Sequence, residues 1–371
     1  MFHSRGFLLV LILLLVTLIL ELIIPRFHDI SFLFVLHPKL MFTLVAIVAL
    51  VLQYVILHHI LSIQTFGRRL RAQRISILAV QSIITVLMLI LTVEVLTNHN
   101  FYHSTYLNYV VSGVVTVSYG ATLFFLSLMA YRFLRFHNIK EGIVGLLYGF
   151  AFCSLILNAI LHYLSISITF GHFLILRIPL PESCLQFEMP PSCSEVQSSL
   201  GIAWIVSFLL LWAASIMFNY RNRNTLGKKS WILMLLPVTF LLYYPISFIA
   251  IPLLDTLGIS IVNIVDIVDY LFPILYLVST IIPAFVFGAS FWLHRKGITD
   301  TRNQIFLTIG GIGLFFYFLT ISPFVFPQFG TFGFLSKIPY GIVLLSLAGL
   351  FAYMLSISRI DRFVSNRKLH D

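Results

Sequence analysis

The chain has 371 residues, of which 60% are apolar (A, V, I, L, M, F, W, Y, C) and only 10% are charged. A soluble domain carries roughly 45–50% apolar and about 25% charged residues, so an excess this large cannot hide in one globular core and the solvent must be mostly lipid. The formal net charge of +10 does not point to nucleic acid, because Lys and Arg stand in small clusters between apolar runs and not on one basic surface.

A hydrocarbon core of about 30 Å needs about 20 apolar residues per helix. In chain order, runs of that kind lie near 7–24, 40–63, 75–97, 106–131, 142–168, 201–219, 231–253, 270–293, 305–321 and 339–357. Backbone polar groups find no water in hydrocarbon, so each run must be helical. The sequence therefore predicts an all-α polytopic bundle of about ten spans, a single transmembrane domain over 1–371 with no soluble domain. The loops are too short for an attached kinase, ATPase or DNA-binding module, so a signal passed inward would need a partner membrane protein.

The orientation follows from the basic residues, which concentrate in cytoplasmic loops. With the N-terminus inside, 19 of the 23 Lys and Arg fall on the inner side, including Arg68, Arg69, Arg71 and Arg74, then Arg132 and Arg135. Only Arg26, Lys39, Arg177 and Lys337 fall outside. This predicts a multi-pass protein of the cell membrane with both termini cytoplasmic. The first run reads as a retained helix and not a cleaved signal peptide, because Glu21, Pro25 and Arg26 stand where a small-residue cleavage site would be.

Three cysteines are present. Cys153 falls within the fifth run, as a small buried apolar residue. Cys184 and Cys193 share the long outer loop, on the oxidising side of most cells, and a disulfide between them is expected there; two free thiols are the alternative.

Ten helices divide into five and five, which inverts one half relative to the other, as in many secondary transporters. The halves show no sequence repeat. Helix breakers gather in the seventh to ninth runs: Pro237, Pro245, Pro252, Pro273, Pro283, Gly288, Gly310, Gly311 and Gly313. Broken helices can line a polar cavity, or can be kinked for packing alone. Gly145 and Gly149 are spaced for close helix contact. Residues 256–269 place Asn263, Asp266 and Asp269 on one face, as in a short amphipathic helix on the outer surface or an extension of the eighth span.

The segments LGKKSWILMLLP (Leu226–Pro237), FGASFW (Phe287–Trp292), FPQFG (Phe326–Gly330), YRFLRF (Tyr131–Phe136) and LLYGFAF (Leu146–Phe152) are similar to those of a group of uncharacterised polytopic membrane proteins of ammonia-oxidising archaea. FPQFG differs from the double-proline form of that group. The resemblance spans the fourth to tenth runs and implies a ten-helix protein of the cell membrane, with no chemistry attached.

Nucleotide-binding, zinc-protease and hydrolase motifs are absent, no Lys lies deep in a run to form a retinal Schiff base, and no cofactor is implied. Ionisable residues within spans are candidates for function. Glu94, near the outer end of the third run, has His99 and His103 just beyond it. The two His are four apart, a spacing suited to a metal on one helix face, and His28, His162 and His172 lie on the same outer side. A solvated polar loop is the alternative. His58 and His59, at the inner end of the second run, read as interfacial; a haem shared with His162 would have to bridge opposite membrane halves. Asn158 and Gln81 lie deeper, either holding helices together or touching a solute. Three classes of function remain: a small-solute transporter or permease, a sensor or accessory subunit acting through a partner, and an outer-face enzyme built on Glu94, Asp266, Asp269 and the outer His. Lipid is the expected partner and nucleic acid is not.

Overall fold

The computed structural model describes residues 6–14, 16, 38–63, 68–97, 105–140, 142–169, 191–221, 235, 281, 284–289, 291–292, 301–321 and 334–358. Their regular structure is all helical: α1 Pro38–Ser62, α2 Arg68–Thr97, α3 Thr105–Lys140, α4 Ile143–Thr169, α5 Pro191–Arg221, α6 Thr301–Ile321 and α7 Phe334–Ile357. Shorter helical pieces lie at 6–14 and 284–289. Five helices among the described residues are long and apolar enough to cross a membrane: Phe42–Ser62, Arg68–Thr97, Ser112–Arg135, Ile143–Leu164 and Ile338–Ile357, at mean hydropathies of 1.7 to 2.4. The expected span at 231–253 and the amphipathic stretch at 256–269 lie outside the described residues, apart from Leu235.

Helices outlast the apolar runs that announce them. α2 begins at Arg68 and α3 reaches Lys140; a helix can continue past its apolar run because long basic side chains keep their charges in water while their stems cover apolar surface. α5 begins at Pro191, ten residues before the apolar run. Proline suits the first turn, where its missing N–H and fixed φ cost nothing. Part of the expected outer loop is therefore helix, and Cys193 stands in its first turn, while Cys184 lies outside the described residues.

α1 to α5 pack in chain order, each on the next, and α6 pairs with α7. α7 also packs on α1, α2 and α3; its span is 78% buried, against 33–50% for the other four, which makes it the central helix. Small residues let it in. A Cβ on Gly349 would strike Gln81 Nε2 and lie 2.6 Å from Phe125, and one on Gly313 would lie 2.5 Å from Leu347 Cβ of α7. Without a hydrophobic force between helices in lipid, such close approach supplies the dispersion contacts that hold the bundle. Gly149 is likewise seated on Leu134 of α3, and Gly288 on Thr308 and Ile312 of α6. Gly288 belongs to the short piece that carries Phe287, whose ring lies 6.2 Å from Tyr148, 6.0 Å from Phe315 and 5.9 Å from Phe351.

The contacts also order the helix ends. Arg74 of α2 donates to the carbonyls of Leu61 and Ile63 at the end of α1, at 3.1 and 2.8 Å, satisfying acceptors that a helix C-terminus leaves open. Arg69 of α2 bonds Tyr131 Oη of α3, and Arg132 donates to Ser358 O beyond α7 at 3.3 Å. Phe306, one turn into α6, meets Phe7 at 4.8 Å and His59 at 3.6 Å. Phe133 meets Tyr148, near the start of α4, at 4.9 Å. The ends of α1, α3 and α7 and the starts of α2, α4 and α6 thus share one end of the bundle, and the basic residues Arg69, Arg74, Arg132 and Arg302 share it too.

Candidate functional site: a polar seam through α3, α4 and α5

Up to His162, α4 is apolar except for Cys153 and the polar positions Tyr148, Ser154, Asn158 and His162. The last three are four residues apart, so they fall on nearly one face. α5 answers with Ser207, Ser215 and Asn219. Tyr148 Oη and Ser215 Oγ lie 3.2 Å apart. Ser207 Oγ donates to Ser154 Oγ at 2.8 Å, so the two helices run antiparallel with hydroxyl pairs one above the other. Further along, Tyr119 Oη of α3 bonds His162 Nδ1, and Thr116 Oγ1 lies 3.4 Å from Tyr163 Oη. From Tyr148 to His162 the seam climbs about 21 Å at 1.5 Å per residue, two-thirds of a hydrocarbon core.

Two atoms in the seam are left over. Asn158 is 1% exposed and its Oδ1 has no hydrogen-bond partner; Asn219 is fully buried, and its Oδ1 has none either. Asn219 Nδ2 donates to Ser215 O at 2.9 Å, which fixes which end of that amide is unpaired. A buried acceptor without a donor costs about 1–3 kcal/mol, and a neutral polar group in a membrane bundle either bonds across helices or lines a pathway. No Asp, Glu, Lys or Arg lies in α4, in α5 between Ala203 and Tyr220, or in α3 between Ser112 and Tyr131. The seam is made of dipoles only.

A second polar contact is complete by comparison. Gln53 Nε2 of α1 donates to Gln81 Oε1 at 2.7 Å, and Gln81 Nε2 donates to Ser346 O of α7 at 3.1 Å. It ties three helices together at mid-depth. Thr122 of α3 and Tyr317 of α6 share a further hydroxyl bond, beside a crevice among Phe125, Met129, Leu314 and Ala348 with no space for a water.

Gln81 and Asn158 are both buried, as their depth in the sequence implies. His58 is exposed as an interfacial residue would be. His59, at the end of α1, is buried instead: it is 1% exposed, and its ring stacks on Phe306 with neither nitrogen hydrogen-bonded. Cys153 is exposed and not buried, because α4 turns its hydroxyl and amide stripe inward and leaves this position on the outer surface of the bundle. Glu94 is half-buried in the last turn of α2, while His99 and His103 lie outside the described residues. Among the described residues no group of three or more His, Cys, Asp or Glu comes together.

The seam's hydroxyls are hard to single out from sequence, since a lone Ser in an apolar run reads as packing. The signal that marks them is the four-residue repeat Ser154, Asn158, His162, answered by Ser207, Ser215 and Asn219. No protein-family model, no curated protein and no solved structure matches the chain.

Proposed function

We propose that the chain is a ten-span protein of the cell membrane, embedded in the bilayer with both termini cytoplasmic, and that it is a permease for a small solute moving along the α3–α4–α5 seam. The single observation that carries this is the pair of buried carboxamide oxygens without a partner, at Asn158 and Asn219. A purely structural interface gains by replacing such groups with apolar ones, whereas a pathway needs acceptors that are free when a solute arrives. The position of the seam agrees. On a division of ten spans into five and five, α4 closes the first half and α5 opens the second, and transporters place their sites where the halves meet.

The two hydroxyl pairs hold the seam closed, so passage requires α4 and α5 to part. Ser154→Cys and Ser207→Cys, introduced together after replacing the three native cysteines with serine, would place two thiols where oxygens stand 2.8 Å apart. Purified protein in vesicles is then assayed for solute-driven swelling and for ion flux, before and after oxidation. The expected result is a flux above empty vesicles that stops on cross-linking and returns with reductant. Flux indifferent to the cross-link would remove the seam as the route, and no flux of any solute would remove the permease.

A further inference from the structure

We infer that the seam is a pathway for small uncharged solutes that both donate and accept hydrogen bonds, and that Asn158 is the residue that recognises them. This rests on the permease reading and adds the chemistry of what is carried.

The first ground is charge. An ion taken out of water keeps a penalty of several kcal/mol even after the protein relaxes, and membrane pathways for ions meet it with side chains of opposite charge or with rings of carbonyls. The three helix segments that form the seam hold none of the charged residue types. Their polar groups are hydroxyls, two indoles, one thiol, one imidazole and two carboxamides, and three pairs are already committed: Tyr148 to Ser215, Ser154 to Ser207, His162 to Tyr119. Dipoles this few do not replace the hydration shell of an ion. They do replace the two or three hydrogen bonds of a small neutral molecule.

The second ground is the chemistry of the leftover group. A carboxamide offers an acceptor oxygen and a two-proton donor on adjacent atoms. Asn158 lies between the Ser154–Ser207 pair one turn to one side and His162 one turn to the other, with its Oδ1 buried and unpaired. A solute with an O–H or N–H next to an acceptor, such as an amide or a polyol, matches it. Asn219 repeats the unpaired acceptor near the end of α5, where Tyr148 and Ser215 come first on the way back into the seam. The third ground is width: Leu211 and Phe218 are buried on α5 beside Ser207, Ser215 and Asn219, so the slot that opens when α4 and α5 part is narrow.

The test uses the full chain in vesicles, with stopped-flow light scattering after hyperosmotic glycerol or acetamide, and potassium and proton flux followed in parallel with an internal dye. The expected result is reswelling in at least one of the two neutral solutes about tenfold faster than in empty vesicles, a factor one buried hydrogen bond can supply. Ion flux should stay at the level of empty vesicles. Asn158→Leu should abolish the solute flux, Asn158→Gln should keep part of it, and Cys153→Ser, on the outer surface, should leave it intact. Asn219→Leu provides a second loss of function if Asn158→Leu fails to fold, as judged by gel filtration. Potassium or proton flux with both neutral solutes at background would overturn the inference while the permease reading stands. Neutral flux unchanged in both Asn158→Leu and Asn219→Leu would remove the carboxamides as the recognition element. No flux of solute or ion would remove the permease reading and this inference with it.

Discussion

Tyr353 of α7 and His59 of α1 are each 1% exposed, and neither the hydroxyl of one nor the ring nitrogens of the other reach a hydrogen-bond partner. Both lie outside the seam, so their unpaired atoms carry cost without a pathway to justify it. Tyr353→Phe keeps the ring and removes only the hydroxyl; melting in detergent should rise, by up to about 1 kcal/mol, the lower end of the penalty for an unpaired buried group. A fall in melting temperature would mean the hydroxyl has a partner in the folded protein. Gln81 is the opposite case. Gln81→Leu strands the amide of Gln53 and frees the carbonyl of Ser346, and should cost about 1–3 kcal/mol. Adding Gln53→Leu should recover part of that loss, since removing both partners is milder than removing one. A double variant no more stable than Gln81→Leu alone would show that the two amides do not depend on each other.

At the level of whole elements, the existence of the helices is legible and their ends are not. The apolar runs at 40–63, 142–168 and 339–357 fall within three residues of α1 at its start, α4 at both ends, and α7 at its end. The misses are extensions: α2 starts seven residues early, α3 runs on through Arg132 and Arg135, and α5 begins at Pro191. Hydropathy measures what sits in hydrocarbon, whereas a helix continues as long as its backbone bonds are met, so interfacial turns escape it. Which residues face inward also escapes it, because a membrane helix is apolar all round; Cys153 fell on the wrong side for that reason. Glycine recovers part of this information. The position of Gly349 against Gln81 and Phe125 leaves no room for a methyl, so Gly349→Ala should destabilise the bundle by about 1–3 kcal/mol, as overpacking does. Gly341 has nothing within 4 Å of where a Cβ would lie, and Gly341→Ala serves as the control with no steric loss. Equal melting temperatures for the two variants would show that the α2–α3–α7 contact has room for a methyl at Gly349.

For the whole molecule, the geometry and the charge pattern constrain each other. α3 and α7 run parallel, since their C-terminal ends meet at Arg132 and Ser358. α5 runs antiparallel to α4, through the Tyr148–Ser215 and Ser154–Ser207 pairs, and so ends on the side where α4 starts. α6 starts on that same side, with Phe306 against His59 and Phe7. The end of α5 and the start of α6 thus share one side, and the proposed ten-span topology, with apolar runs at 231–253 and 270–293 between them, requires that. With the split of 19 basic residues to 4, the proposed topology predicts 222–230 in the cytoplasm and 98–104 outside. Single cysteines introduced at Asn224 and at Ser104, in a chain whose native cysteines are serine, should then differ toward an impermeant maleimide applied to intact cells. Ser104→Cys should label at once and Asn224→Cys only after the membrane is opened. An immediate reaction at Asn224→Cys with none at Ser104→Cys would invert the topology and leave the basic clusters facing the wrong side. Equal labelling of the two would mean an even number of crossings between them and would remove the five-and-five division on which the place of the seam between halves depends.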